Sequence, residues 1–371
     1  MKNLLLLVAF VSVLTACSSS DHNTSTSGDS FNRTALLTHW ADNIIIPAFS
    51  NYDVHLAVLQ SEVENFNANP SQENLLTVRN SWIAAYKAYQ QVMLFNIGKA
   101  ADLNFKEAAD TYPTDAIGIE ANIANGNYNL ELLSQYSKQG FPALDYMLNG
   151  LSESDSGIIT KYSSDANADA YKLYLTSLIN ALKSKNAAIV SDWSGIYRST
   201  FITSNGTAVS SSTNKMVNLF VKNFEKDIRS GKVGIPAGIF SNGTLFPEKI
   251  EGYYKKDISK DLLNTAVQAQ QDFFNGKYFA NSQVGPSLKS YLDDVKAVRN
   301  GLNLSAIINN QFETIYTTNA TLNSNLSQQI LSNNTKMLEA YDAMQQNVVY
   351  FKLDMMQALN ITIDYVDGDG D

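Results

Sequence analysis

The sequence predicts an all-α fold built from helical bundles. Apolar residues recur three and four apart through several long windows. Period-two alternation is nearly absent, apart from a brief Ile361-Thr362-Ile363-Asp364-Tyr365, which argues against a sheet-based fold. Segments rich in Gly, Pro, Asn and Ser punctuate the chain near 97–118, 149–166, 194–212 and 230–258.

The chain of 371 residues opens with Met1-Lys2-Asn3, an apolar run from Leu4 to Leu14, and Leu14-Thr15-Ala16-Cys17. A basic start, a short apolar stretch and a small residue before the cut describe a secretory signal too short to span a bilayer. Ending it in a cysteine predicts lipoprotein processing, with cleavage before Cys17 and acylation of its thiol. A chance cysteine in a soluble periplasmic protein is the competing reading, and the following Ser18-Ser19-Ser20 favours lipidation. Cys17 is the one cysteine in the chain, so lipidation leaves no thiol for a disulfide, a zinc-thiolate site or a nucleophile. Residues 18–30 offer nothing apolar to bury and read as a flexible tether.

Helical spacing takes over near Phe31. Asn69-Pro70 predicts a helix start, with Asn69 as cap, Pro70 in the first turn and Gln72 three beyond the cap. Leu75, Val78, Trp82, Ala85, Tyr89 and Val92 then form a core-facing stripe. The spacing returns in Tyr171, Leu175, Leu178, Leu182, Ile189 and Trp193, and again in Met337, Tyr341, Met344, Val348, Phe351 and Met355. Shorter matches run through 35–66, 213–228, 259–274, 286–298 and 306–326. The loop Gly234-Ile235-Pro236-Ala237-Gly238 is too apolar to be merely solvated and is expected to pack inward. It faintly echoes Ile46-Pro47-Ala48-Phe49, a match short enough to be coincidence. Length allows two domains. The expected organisation is a signal peptide at 1–16, lipidated Cys17 and tether at 17–30, and helical bundles at 31–165 and 166–371.

Formal charge is −9 for the whole chain, and losing Lys2 with the signal makes it 26 minus 36, or −10. That sign argues against a nucleic-acid partner and leaves cationic or metal ligands open. The common catalytic signatures, His-Glu-x-x-His, Gly-x-Ser-x-Gly and Gly-x-x-x-x-Gly-Lys, are missing. His22 lies in the tether, while His39 and His55 are too far apart in sequence to share a metal on one helix face, so these histidines read as structural or solvent-facing. Carboxylates can hold Fe, Mn, Ca or Mg without histidine. Glu248 and Glu251, three apart, would share a face if helical, although two solvated acids after Pro247 is the simpler reading. The aspartates at 364, 367, 369 and 371 resemble half of a calcium loop without a closing glutamate, and a solvated acidic end fits them better. Asp145, amid large apolar residues in Gly140-Phe141-Pro142-Ala143-Leu144-Asp145-Tyr146, reads as a buried and partnered acid.

Beyond these readings, the chain resembles the imelysin family. The resemblance is carried by Ile44-Ile45-Ile46-Pro47-Ala48-Phe49, by Arg79 to Tyr89 with Trp82 at its centre, by Tyr112-Pro113-Thr114-Asp115, by Gly234-Ile235-Pro236 with Glu251-Gly252-Tyr253-Tyr254, and by the ending from Ala358 to Asp371. It implies two helical bundles arisen by duplication with a cleft between them, and a role tied to iron uptake or to peptide cleavage. The family's signature Gly-x-His-x-x-Glu, suspected of metal binding, falls on Gly140 to Asp145. Pro142 stands where the histidine would be, and Asp145 keeps a carboxylate on a shorter arm. A hydrolytic metal site needs ligands enough to fix the ion plus an open position for water, so no peptidase activity is expected.

The resemblance therefore implies a non-catalytic, ligand-binding envelope lipoprotein serving iron or other nutrient uptake. It would be anchored through Cys17, with serine after Cys17 pointing to the outer membrane, and an iron-uptake or outer-membrane transport protein as partner. The cleft would gather Tyr112, Asp115, Gly140, Pro142, Asp145, Gly234, Pro236, Glu248, Glu251 and Tyr253. An iron or other divalent metal ion, if held, would fall to Asp145, Glu248 and Glu251. The alternative is a metal-dependent peptidase drawing on those carboxylates and Asp115.

Overall fold

A computed structural model describes residues 30–365; the expected signal peptide, Cys17, most of the tether, and Asp367, Asp369 and Asp371 lie outside them. The first long helix, α1, runs Ile46–Ala68 behind Arg33–His39 and a π-helical turn Trp40–Ile45. Helix α2 spans Gln72–Gln90. Its cap is Ser71, whose hydroxyl accepts the Asn74 amide at 3.2 Å, and not the expected Asn69. Asn69 instead closes α1 at φ −139° and ψ 83°, because the residue before a proline is pushed out of the helical region. The stripe from Leu75 to Val92 is fully buried.

Next come α3, Gly140–Asp145; α4, Ala168–Ser194; and α5, Ser212–Lys222, which widens into a π-helical stretch Asn223–Gly234. Helices α6, Ser259–Asn275, α7, Leu304–Ala320, and α8, Thr335–Val349, complete the main set. The chain is thus all-α, as expected, and no helix among the described residues is long and apolar enough to cross a membrane. Both Ile-Pro pairs follow directly on π-helical segments, Trp40–Ile45 and Asn223–Gly234. A proline removes one amide donor from the ladder, and a widened turn re-registers the carbonyls around it.

Helix α1 packs against α2 and α4, α7 against α8, and α8 against the π-helical stretch, while α2 also meets α6. Although α4 begins beyond the boundary expected at 165/166, it lies along α1 and touches α3. By its contacts it lies with the helices that precede it. From Phe31 onward the chain is one compact unit. Its core is continuous through Phe273, whose ring centroid is 4.9 Å from that of Trp40 and 5.7 Å from that of Phe95.

The one named sheet among the described residues is a hairpin pairing Val298 with Asn303 and Arg299 with Leu302. Its turn, Asn300-Gly301, has φ values of 52° and 78°, the left-handed pair that Asn-Gly supplies most readily. The alternation at 361–365 makes no strand; that segment lies on α5, where Asn218 donates to the Thr362 carbonyl at 2.8 Å.

Candidate functional site

The region of the Gly140–Asp145 signature is built around a glycine that nothing else can replace. Gly140 has φ +75°, and a Cβ there would lie 2.2 Å from the Ala109 carbonyl oxygen. Pro142 sits in the first turn of α3, where a missing N–H goes unnoticed. Phe141 stacks on Tyr86 with centroids 4.5 Å apart, and its carbonyl accepts the Trp82 indole N–H at 3.3 Å. So fixed, α3 delivers Asp145 into the interior at 1% exposure.

There Asp145 accepts the Tyr254 amide at 2.8 Å on Oδ2, and the Lys255 amide at 2.9 Å and the Asn149 side chain at 3.0 Å on Oδ1. Burial pushes its pKa up to about 7, with the three N–H donors and Lys255 pulling the other way. The acid is a tie between α3 and the turn at 252–255, which Gly252 opens at φ +70°.

Beside this tie is a cavity of about 210 Å³ whose lining includes Tyr112, Pro142, Asp145, Glu248 and Tyr253. Five of the residues expected in a cleft therefore do meet. The others do not line it. Asp115 caps the helix Ala116–Asn125 through the Gly118 amide at 2.8 Å, and Gly140 lies behind, against Ala109. Gly234 and Pro236 are buried in the inward-packed loop, as expected of that loop, although Ile235 remains 40% exposed. Glu251 faces away from Glu248: Pro247–Lys249 is a single 3-10 turn that leaves Glu248 exposed and Glu251 buried.

A second cavity of about 280 Å³ lies on the other side of Tyr112, which lines both. Its wall carries Lys106, Asp110, Asp227 and Lys249, none of them singled out by the sequence. Behind it is a buried polar cluster. Lys232 Nζ lies 2.5 Å from Glu251 Oε2, with both side chains 2% exposed, and Gln90 donates to Glu251 Oε1 at 2.7 Å. Tyr86 donates to Asp110 at 2.5 Å. Burial first, then the neighbouring Glu251 charge, pushes the Asp110 pKa well up, which Lys232 and the Tyr86 hydroxyl oppose. The Tyr112 phenol is likewise held well above its ordinary pKa by burial and by Glu251, Asp110 and Asp227. Lys106 pairs with Asp227 at 2.8 Å. Its pKa is raised, because Asp227 and the acids at 107 and 110 together outweigh burial, the largest single influence, which acts to lower it.

The imelysin family model matches residues 45–350. The chain belongs to the imelysin family. It is 22% identical over 156 residues to iron-regulated protein A of Synechococcus elongatus, a match covering 37% of this chain and 43% of that relative. The chain thus spans less than half the length of that curated relative. Two crystal structures share the fold, each at 17% identity. One is an iron-regulated protein A precursor from Parabacteroides distasonis, with a TM-score of 0.70 over 90% of this chain and 98% of that one. The other is an imelysin-like protein from Psychrobacter arcticum, with a TM-score of 0.71 over 91% and 99%.

The metal site that imelysin resemblance suggests does not fit the residues this member has. Both Asp145 oxygens already face N–H donors, which point positive charge where a cation would sit. Both Glu251 oxygens are taken by Lys232 and Gln90, and Glu248 is exposed on the far side of the turn. Among the described residues no group of three or more His, Cys, Asp or Glu is placed to hold a metal ion. The expected ligand set Asp145, Glu248 and Glu251 is corrected accordingly: the 3-10 turn separates the two glutamates, and amides satisfy the aspartate. The histidine at 39 is structural, its Nε2 meeting the Gly276 carbonyl at 2.8 Å.

Proposed function

We propose that this imelysin-family chain is a non-catalytic ligand-binding protein of the cell envelope, anchored through an acylated Cys17 and serving iron or other nutrient uptake. The observation that carries the reading is the state of Asp145. At the position where the family signature keeps an acid, the carboxylate accepts from two backbone amides and Asn149, and the acylated ring nitrogen of Pro142 offers no lone pair to a metal. A group so occupied holds architecture: three of its four acceptor sites already face N–H donors. The cavities flanking Tyr112 then serve to hold a ligand. Their residues come from segments distant in sequence, a usual arrangement for small-molecule sites. The lipoprotein signal at Leu14 to Cys17 supports the envelope location, and the names of two similar proteins, an iron-regulated protein A in Synechococcus elongatus and an iron-regulated protein A precursor in Parabacteroides distasonis, support a link to iron. The reading is tested by incubating the purified protein with denatured insulin and casein, with and without added divalent metals. No cleavage above buffer is expected. Cleavage that a chelator abolishes and that Glu248→Ala reduces would overturn it.

A further inference from the structure

We propose that the cavity walled by Tyr112, Glu248, Tyr253 and Tyr254 binds a small organic cation through an alkylammonium or guanidinium group. The proposal deepens the ligand-binding reading above and rests on it.

Three segments meet around this space: Tyr112 to Thr114, the end of α3 with Pro142 and Asp145, and the run from Glu248 to Tyr254. Two acids stand on the wall, and no lysine, arginine or histidine does. Asp145 already accepts from three N–H donors. Glu248 is different: it is exposed, and among the described residues it makes no hydrogen bond and no ion pair. The lysines of the same run are engaged elsewhere. Lys249 rests on the Phe246 ring at 3.9 Å and lines the neighbouring cavity, and Lys255 pairs with Asp257 at 2.5 Å. An unspent carboxylate therefore faces a cavity whose lining holds no cation to meet it.

Aromatic rings complete the wall. The Tyr253 and Tyr254 centroids are 5.2 Å apart with the rings at 75°, and Tyr112 lines the same space. The face of such a ring attracts an ammonium or guanidinium group within about 6 Å of its centroid. None of the three phenol oxygens makes a hydrogen bond among the described residues, so each is open to an N–H donor. Pro113, Pro142 and Ile250 add apolar surface for the methylene stem of an amine. A bare metal ion needs several oxygens converging at fixed distances, and among the described residues no such group of acids exists. An ammonium or guanidinium needs less: one carboxylate, aromatic faces and dispersed acceptors. The formal charge of −9 on the whole chain favours its approach. The volume, about 210 Å³, lies below the range of about 300 Å³ upward that drug-sized ligands occupy, so a small amine or one basic side chain fits.

The test is isothermal titration calorimetry of the purified full chain at pH 7 and low salt with three probes: putrescine, the capped tripeptide acetyl-Gly-Arg-Gly-amide, and the uncharged putrescine analogue butanediol. Saturable binding of at least one cation is expected, weakening as salt is added, with none of the diol. Putrescine alone identifies a free amine, the tripeptide alone a basic side chain, and both the cationic group they share. Glu248→Gln should weaken binding about tenfold, the loss of one charge-assisted hydrogen bond. Tyr253→Leu should weaken it about threefold, the loss of one aromatic face. Glu64→Ala, which removes an exposed acid on α1, should leave it unchanged. Glu248 and Tyr253 are both exposed, so neither change opens the core, and circular dichroism melting of each variant checks its folding. Absence of binding by both cations, equal binding of the diol, or wild-type affinity in the folded double variant Glu248→Gln/Tyr253→Leu overturns the proposal. The outcomes separate from those of the cleavage assay: uncut peptides without cation binding sink this inference alone, and cut peptides with cation binding sink the non-catalytic reading alone.

Discussion

Removing Asp145 should unfold the protein more readily instead of stripping it of a metal. In Asp145→Ala the amides of Tyr254 and Lys255 lose their acceptor, and at about 1–2 kcal/mol for each unsatisfied buried donor the loss is about 3 kcal/mol. The pH dependence of Asp145→Asn isolates the carboxyl. An aspartate titrating at about 7 in the fold, against 3.8 for an ordinary aspartate, binds a proton in the native state that the unfolded chain has already released. Its contribution to stability is therefore full below pH 4 and declines as pH rises toward 7, by up to about 1.4 kcal/mol per pH unit. Between pH 5 and pH 8 the wild type should lose about 2.5 kcal/mol relative to Asp145→Asn. Groups common to both proteins, such as Asp110, cancel in that difference. Urea unfolding of wild type and the Asn and Ala variants at pH 5, 6, 7 and 8, followed by tryptophan fluorescence, measures it. Parallel curves for wild type and Asp145→Asn, or an Ala variant within about 0.5 kcal/mol of wild type, would refute the reasoning.

Two further outcomes follow from the surroundings of that tie. Glu251→Gln leaves Lys232 charged at 2% exposure and should cost about 3–5 kcal/mol in urea unfolding, whereas Lys232→Met/Glu251→Leu should cost less than either single change. Gly140→Ala forces a Cβ to 2.2 Å from the Ala109 carbonyl at φ +75°; it should lower stability by about 3 kcal/mol and displace α3, read as a lowered melting temperature with quenched or shifted Trp82 emission.

The helical stripes were legible because a period of three to four reports burial directly, and every residue of the stripes at 75–92, 171–193 and 337–355 is buried. Boundaries were less so. The Asn69 cap lost to Ser71 because two good cap residues flank one proline, and only the backbone angle decides between them. Glu248 and Glu251 share a face on a helix, but the chain makes one 3-10 turn and reaches Gly252 at φ +70°, which turns them apart. The charged cluster left almost no local trace. Gln90 meets Glu251 across 161 residues and Lys106 meets Asp227 across 121, separations at which no spacing rule operates. One usable signal existed: Glu225, Arg229 and Lys232 lie at helical spacing among Phe224, Ile228 and Val233, all of them buried. Charges embedded in an apolar helical stretch imply partners brought from elsewhere.

The substitution at Pro142 and the occupation of Asp145 point the same way. Once residue 142 offers no nitrogen donor, a carboxylate three residues on is a buried charge without a cation and must find other positive partners or lose its charge. Here it does some of each, accepting two backbone amides and Asn149 while burial raises its pKa toward neutrality. The shorter arm suits that task, because Asp145 must reach the backbone of the 252–255 turn and not the centre of a cavity. Fastening that turn to α3 holds Glu251 where Lys232 and Gln90 meet it, and the Glu251 charge adds to burial in raising the pKa of Asp110 in the cavity wall. An acid that has ceased to be available for a metal thus still shapes the charge of the neighbouring cavity, through a turn it secures and a carboxylate it never touches.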